Sequence, residues 1–114
     1  MKIIYNKLIP FGRYTAINIC GILFTKKKNL SAVSINHEKI HTAQMKEMGY
    51  VGFYLWYAVE GIITYFANKL DQHKGYRDIS FEEEAYNNQD NLDYLRDRKH
   101  YSWWKYLKLR SNSK

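Results

Sequence analysis

Apolar positions come in short β-branched and aromatic clusters at the start of the chain and in longer helical patterns after it. Residues 3–9 and 14–25 are rich in Ile, Tyr, Thr and Phe and are separated by Pro10-Phe11-Gly12. That composition predicts two strands joined by a turn, a β-hairpin occupying residues 1–28. After the Lys26-Lys27-Lys28-Asn29 turn, Asn29 or Ser31 can cap a helix over 31–48, which Gly49 closes. Tyr50 to Leu70 is almost wholly apolar, interrupted by Glu60, and reads as a buried helix over 50–72, with Gly75 ending the region. Ser80, with Glu83 three positions on, has the form of a capping box opening a helix over 80–97. Ala85, Leu92 and Leu95, with Tyr86 and Tyr94, give that helix a partly apolar face. A short basic aromatic helix is expected over 100–110. The pattern has no repeat and no linker, so residues 1–114 are expected to form one α+β, predominantly helical domain with three main helices and a short C-terminal one.

The first helix carries the densest chemistry. His37-Glu38-Lys39-Ile40-His41 is a His-Glu-x-x-His motif. Histidines four apart on a helix share a face and can bind one metal ion together, and Glu38 lies where it can take a proton from a zinc-activated water. A catalytic zinc wants a third protein ligand and one open position. Glu47, six residues after His41, has the spacing of the metzincin pattern, but that pattern needs a helix-breaking glycine where this chain has Gln44. On an unbroken helix Glu47 lies nearly two turns from His41. The other source is the run Glu82-Glu83-Glu84, whose members point about 100° apart on a helix, so that only one can face the metal. Glu60, a lone acid in an apolar helix, needs a partner; one reading makes it a carboxylate that holds His37 or His41 by the free ring N–H.

Together, "HEKIH" and "FEEEAY" resemble the gluzincin arrangement, in which a Glu in a Glu-x-x-Ala context on a later helix completes the site. The ImmA/IrrE-like, BlaR/MecR-type and CAAX-prenyl-protease-like peptidases are similar in that broad sense. From about residue 10 to 108 the chain looks like a family of small zinc-metallopeptidase-type proteins from Bacteroidetes. The resemblance implies a minimal zincin-like fold, one Zn2+ ion, and hydrolysis of peptide bonds in a peptide or protein substrate. It puts Glu82 at the ligand position, with Glu83 and Glu84 as alternatives. Where several gluzincins have Asp or Asn after the alanine, this chain has Tyr86, which can donate to a developing oxyanion or simply pack.

Composition modifies this picture in three ways. The chain has 114 residues, is 46% hydrophobic and 17% aromatic, and includes 11 tyrosines, which argues against disorder and suits half-buried surfaces and clefts. Its net charge of +7 is uneven. Residues 1–28 hold six cations and no acid, residues 76–95 are acidic, and the chain from Arg96 onward is basic again. With the apolar stretch 50–70, basic ends raise the possibility of contact with an anionic membrane surface, or insertion of that helix, although Glu60 at its centre opposes insertion. Trp103 and Trp104 beside Lys105 have no recognised nucleic-acid motif around them, so no specific nucleic acid is expected. Cys20 stands alone and is expected to be a small buried hydrophobe. The N-terminus lacks a signal-peptide pattern, which makes the cytoplasm the expected location.

Overall fold

The computed structural model describes residues 2–7, 16–27 and 29–107. Its three strands are β1 (Lys2–Tyr5), β2 (Ala16–Ile19) and β3 (Ile22–Thr25), in the order β1-β3-β2. β2 and β3 form the hairpin, with Ile19 opposite Ile22 and Ala16 opposite Thr25. The two-residue turn places Cys20 at φ +52° and Gly21 at φ +89°, the left-handed pair that closes such hairpins with the right twist. The stretch expected as one long strand is therefore folded on itself, and β1 runs parallel to β3 rather than pairing with β2. The turn expected at Pro10-Phe11-Gly12 lies outside the described residues. Cys20 is exposed at the hairpin tip, not buried. In the central strand the buried Leu23 and Thr25 alternate with half-buried Ile22 and Phe24, the period of two that a strand with one inner face requires.

Helix α1 (Ala32–Glu47) starts where Ser31 accepts a hydrogen bond from the Ser34 N–H at 3.0 Å. Its buried residues, Asn36, His37, Ile40, His41, Gln44 and Met45, recur at helical spacing and make one inner face. Gly49 at φ +68° turns the chain into α2 (Val51–Ala67). That helix buries Phe53, Glu60 and Thr64 and leaves Val51, Leu55, Val59, Ile62 and Phe66 outside. Among the described residues no helix is long and apolar enough to cross a membrane.

The chain then makes a turn at Lys69 and Leu70, both in the left-handed region, and forms an unexpected helix, α3 (Gln72–Asp78), capped by Asp71. Gly75 does not end the region. It is buried in the middle of α3, where a Cβ would lie 2.9 Å from the Tyr65 Cα, and its carbonyl accepts the Thr64 hydroxyl at 2.7 Å. Backbone contact between α2 and α3 is what this glycine permits.

Helix α4 (Ser80–Asn88) ends well before residue 97. The Asn36 side-chain amide donates to the carbonyls of Gln89 and Asn91, at 2.8 and 3.0 Å, and holds this Asn- and Asp-rich segment in a loop. A short helix α5 (Tyr94–Asp97) and a 3-10 turn (Ser102–Tyr106) follow. The expected tail helix is thus a single tight turn as far as residue 107. Met45, Phe53, Ile79, Phe81 and Trp103 form the core between α1, α2 and α4, with Phe53 and Phe81 stacked at 4.5 Å.

A buried ion cluster secures the far end of α1. Arg98 donates from Nη1 and Nη2 to Glu47, at 3.0 and 2.9 Å, and from Nε and the same Nη2 to Glu84. The fork geometry of guanidinium satisfies both carboxylates at once.

Gly75→Ala is expected to lower stability by about 1–3 kcal/mol, because the added methyl meets backbone that cannot yield. Gly52→Ala, whose Cβ would meet only the Met48 side chain at 3.7 Å, is expected to be neutral or to stabilise by up to about 1 kcal/mol. Denaturant unfolding of the two variants checks both signs.

Candidate metal centre

Two helices build the centre. His37 and His41 project from one face of α1 with their Nε2 atoms 3.1 Å apart. Glu82, in the first turn of α4, places Oε1 at 3.3 Å from His37 Nε2 and 3.1 Å from His41 Nε2. All three residues are buried, and together they can hold a metal ion. The other acids expected as alternatives are engaged elsewhere. The Glu83 carboxylate faces the Asn87 amide, Glu84 and Glu47 both serve Arg98, and Glu84 also accepts from Tyr94. Of the three consecutive glutamates, helical rotation brings only Glu82 to the histidines.

Hydrogen bonding sets which histidine nitrogens are available. The Gln44 amide donates to the Phe81 carbonyl at 3.0 Å and to Glu84 Oε1 at 2.9 Å, both pure acceptors. Its own oxygen must therefore face His41 Nδ1, 2.8 Å away, which then carries the proton and leaves Nε2 with its lone pair. His37 Nδ1 meets the Gln89 side-chain oxygen in the same way, at 2.8 Å. Two imidazole lone pairs and a carboxylate oxygen thus converge where water is excluded, and only a cation relieves their repulsion. In the metal-free chain a proton can do so. Burial alone would lower the pKa of His41, but the adjacent Glu82 outweighs it and pushes the group up to about 9. Burial likewise opposes ionisation of Glu82, yet His41 and hydrogen bonds from His37, His41 and Tyr57 hold its carboxyl well below the usual range.

The second Glu82 oxygen accepts the Tyr57 hydroxyl at 2.8 Å. Burial, with Glu82 adding to it, pushes that phenol far above its ordinary value and keeps it a donor. Glu60 touches neither histidine, so the reading in which it holds an imidazole is not met. Its carboxylate accepts the Ser80 N–H at 2.8 Å, the Ser80 hydroxyl at 2.7 Å and the Trp56 indole N–H at 3.0 Å. It occupies the start of α4, where backbone N–H groups lack helical partners and favour negative charge. The capping box expected from Ser80 is not used, since Ile79 is the cap residue and Ser80 bonds Glu60. Burial raises the pKa of Glu60, and the Ser80 and Trp56 hydrogen bonds oppose the rise.

Glu38, half-buried beside His37, borders two cavities. Burial raises its pKa against the pull of both histidines. Asn18 on β2 ties the sheet to this point of α1, donating to the Glu38 carbonyl and to the Thr42 hydroxyl, each at 3.0 Å. One cavity, of about 350 Å³, runs from Glu38, His41 and Glu82 along Ile17, Met45, Phe53 and Tyr54. The other, of about 440 Å³, is bordered by Ser34, His37, Tyr86 and Gln89. Tyr86 packs edge-on against His37 at 4.5 Å between ring centres, beneath the Arg77 guanidinium, with its hydroxyl 3.4 Å from that of Tyr76. Tyr76 borders both cavities. Sequence reasoning did not single out Tyr57, Tyr76 or Gln89, which no spacing links to the motif. Gln44 carried one signal, its position three residues after His41 on the same helical face.

In comparisons with known proteins, the chain matches no protein-family model, no curated protein and no solved structure.

Protonation of His41 provides a pH test. Its folded value of about 9 lies above the ordinary 6.5, so the proton's contribution to stability is complete below pH 6.5 and is lost as pH rises through 9. A bound metal ion displaces that proton, so metal affinity is expected to rise by about tenfold per pH unit across this window. Metal titrations at pH 6.5, 7.5 and 8.5 check the slope; a flat profile would contradict the arrangement.

Proposed function

We propose that the protein is a zinc-dependent metallopeptidase, and the convergence of His37, His41 and Glu82 beside Glu38, at the meeting of two cavities, carries the reading. Two imidazoles and one carboxylate are a donor set that zinc takes in hydrolytic sites. When bound, the ion would polarise a scissile carbonyl and acidify a water. The chain supplies the rest. Gln44 and Gln89 orient the imidazoles, and Tyr57 orients Glu82. Glu38 accepts a proton from the attacking water and passes it to the leaving nitrogen, and its raised pKa moves it toward the operating pH. The phenols of Tyr76 and Tyr86, at the border of the second cavity, are candidate donors to a developing oxyanion.

A peptide substrate is supported by β2, an outer strand of the described sheet whose Ala16, Ile17 and Asn18 border the first cavity. An extended chain can add there as a further strand. A purely structural ion would call for a fourth protein ligand. The group found among the described residues has three members, and cavities reach each of them, which favours catalysis over an inert zinc-binding module.

The test combines metal analysis with turnover. Wild type is expected to carry one zinc per chain, while His41→Ala and Glu82→Gln lose it. Glu38→Gln is expected to keep zinc and lose about 10²–10⁴-fold in peptide hydrolysis. A wild type without zinc, or full turnover by Glu38→Gln, would overturn the proposal.

One observation favours a second property, contact with an anionic membrane surface. Along α2 the sole charged residue, Glu60, is buried, and Val51, Leu55, Val59, Ile62 and Phe66 are each 57–68% exposed in a chain of net charge +7. Flotation with phosphatidylserine-containing liposomes is expected to carry the protein upward, and Leu55→Glu/Ile62→Glu to abolish it. Wild-type protein that stays at the bottom of the gradient would remove this reading.

A further inference from the structure

The two cavities beside the metal centre differ in chemistry, and the smaller is the more apolar. Its apolar walls come chiefly from three elements, Ala16 and Ile17 of β2, Met45 of α1, and Phe53, Tyr54 and Tyr57 of α2, with Tyr76 of α3 and Glu82 of α4 also on its border. The polar ends of two of these rings are already engaged. The Tyr54 oxygen accepts the Cys20 N–H at 2.8 Å, and the Tyr57 hydroxyl donates to Glu82 at 2.8 Å. What these residues turn to the cavity is aromatic and aliphatic surface. The ionisable groups of the centre on its border are Glu38, His41 and Glu82.

A volume of about 350 Å³ lies at the small end of ligand sites. It has room for one large side chain. An acidic side chain entering it would lose its hydration against the same apolar walls and, beside a His41 already paired with Glu82, would face the carboxylates of Glu38 and Glu82. A lysine or arginine would have to lose its hydration against Ile17, Met45, Phe53 and Tyr54. An aromatic or long aliphatic side chain gains by burial and by ring contact.

We propose that this cavity receives a single large apolar side chain from the residue next to the bond to be cut, so that the substrates are peptides with a Phe-, Leu- or Met-class residue there. The peptide part of this assignment rests on the metallopeptidase reading, whereas the selectivity of the cavity is a property of its walls and is measurable without turnover. Ile17 is the wall residue best placed for a test, because it is 40% exposed on β2 and a polar replacement there leaves the core intact.

The experiment is a titration of the full-length 15N-labelled chain, metal-free and zinc-loaded, with the N-acetyl methylamides of phenylalanine, leucine, lysine and aspartate, followed by amide chemical shifts. The phenylalanine and leucine probes are expected to shift the amides of Ile17, Met45, Phe53 and Tyr54 saturably in both states. The lysine and aspartate probes are expected to bind about tenfold more weakly or less. Ile17→Asp is expected to erase that preference while zinc uptake is unchanged. Charged probes that bind as tightly as phenylalanine, or apolar probes that leave those four amides unmoved, would overturn the proposal. If the chain takes up no zinc yet still selects phenylalanine at these amides, the metallopeptidase reading falls and the cavity assignment stands. If it takes up zinc and cleaves peptides without such selection, the reverse holds.

Discussion

Where α1 crosses α4, two imidazole nitrogens and a carboxylate oxygen lie within 3.3 Å of one another in a buried site. Bare lone pairs at that separation repel, so the crossing is stable only with a positive charge between them, a proton or a metal ion. Much of the remaining polar structure serves to keep these three groups in place. Arg98 spans Glu47 and Glu84, Glu84 holds the Gln44 amide, and Gln44 holds the His41 ring with its Nε2 turned to the centre. On the other side Glu60 binds the start of α4, two residues before Glu82, and Tyr57 takes the second Glu82 oxygen.

That arrangement explains why so small a chain buries so many carboxylates. Glu60, Glu82 and Glu84 are each 5% exposed or less, and an unpaired buried charge would cost several kcal/mol. Each has at least three hydrogen-bond or ionic partners among backbone, hydroxyl, indole, imidazole, amide and guanidinium groups. The apolar core of Met45, Phe53, Ile79, Phe81 and Trp103 lies beside the centre, so the same packing that folds the domain also walls off the metal site and lines one of its cavities.

Several features were legible beforehand for identifiable reasons. Ser31 and Gly49 bracket α1 because capping and left-handed closure are local chemistry. The pair His37 and His41 shares a face because helical spacing requires it. Glu47 could be set aside because Gln44 continues the helix, and its carboxylate indeed serves Arg98. Other features depended on distant partners. Cys20 and Gly21 fold the second apolar run into a hairpin, Asn36 captures the segment after Asn88, and Gly75 marks a helix crossing and not an ending.

The amino-acid sequence by itself determined the α+β class, the first helix and its histidine pair, because periodicity and capping act between residues a few positions apart. Resemblance favoured Glu82 over Glu83 and Glu84, and tertiary structure brings it to those histidines. Tertiary structure alone decided that Glu60 caps α4 and binds no imidazole, and that Gln44, Gln89 and Tyr57 orient the site. Those outcomes depend on the rotation and depth at which α4 packs on α1 and α2. A turn of about 100° per residue exchanges one carboxylate for the next, and that rotation is set by Phe81 stacking on Phe53, by Trp103 against Phe81, and by Glu84 held on Arg98.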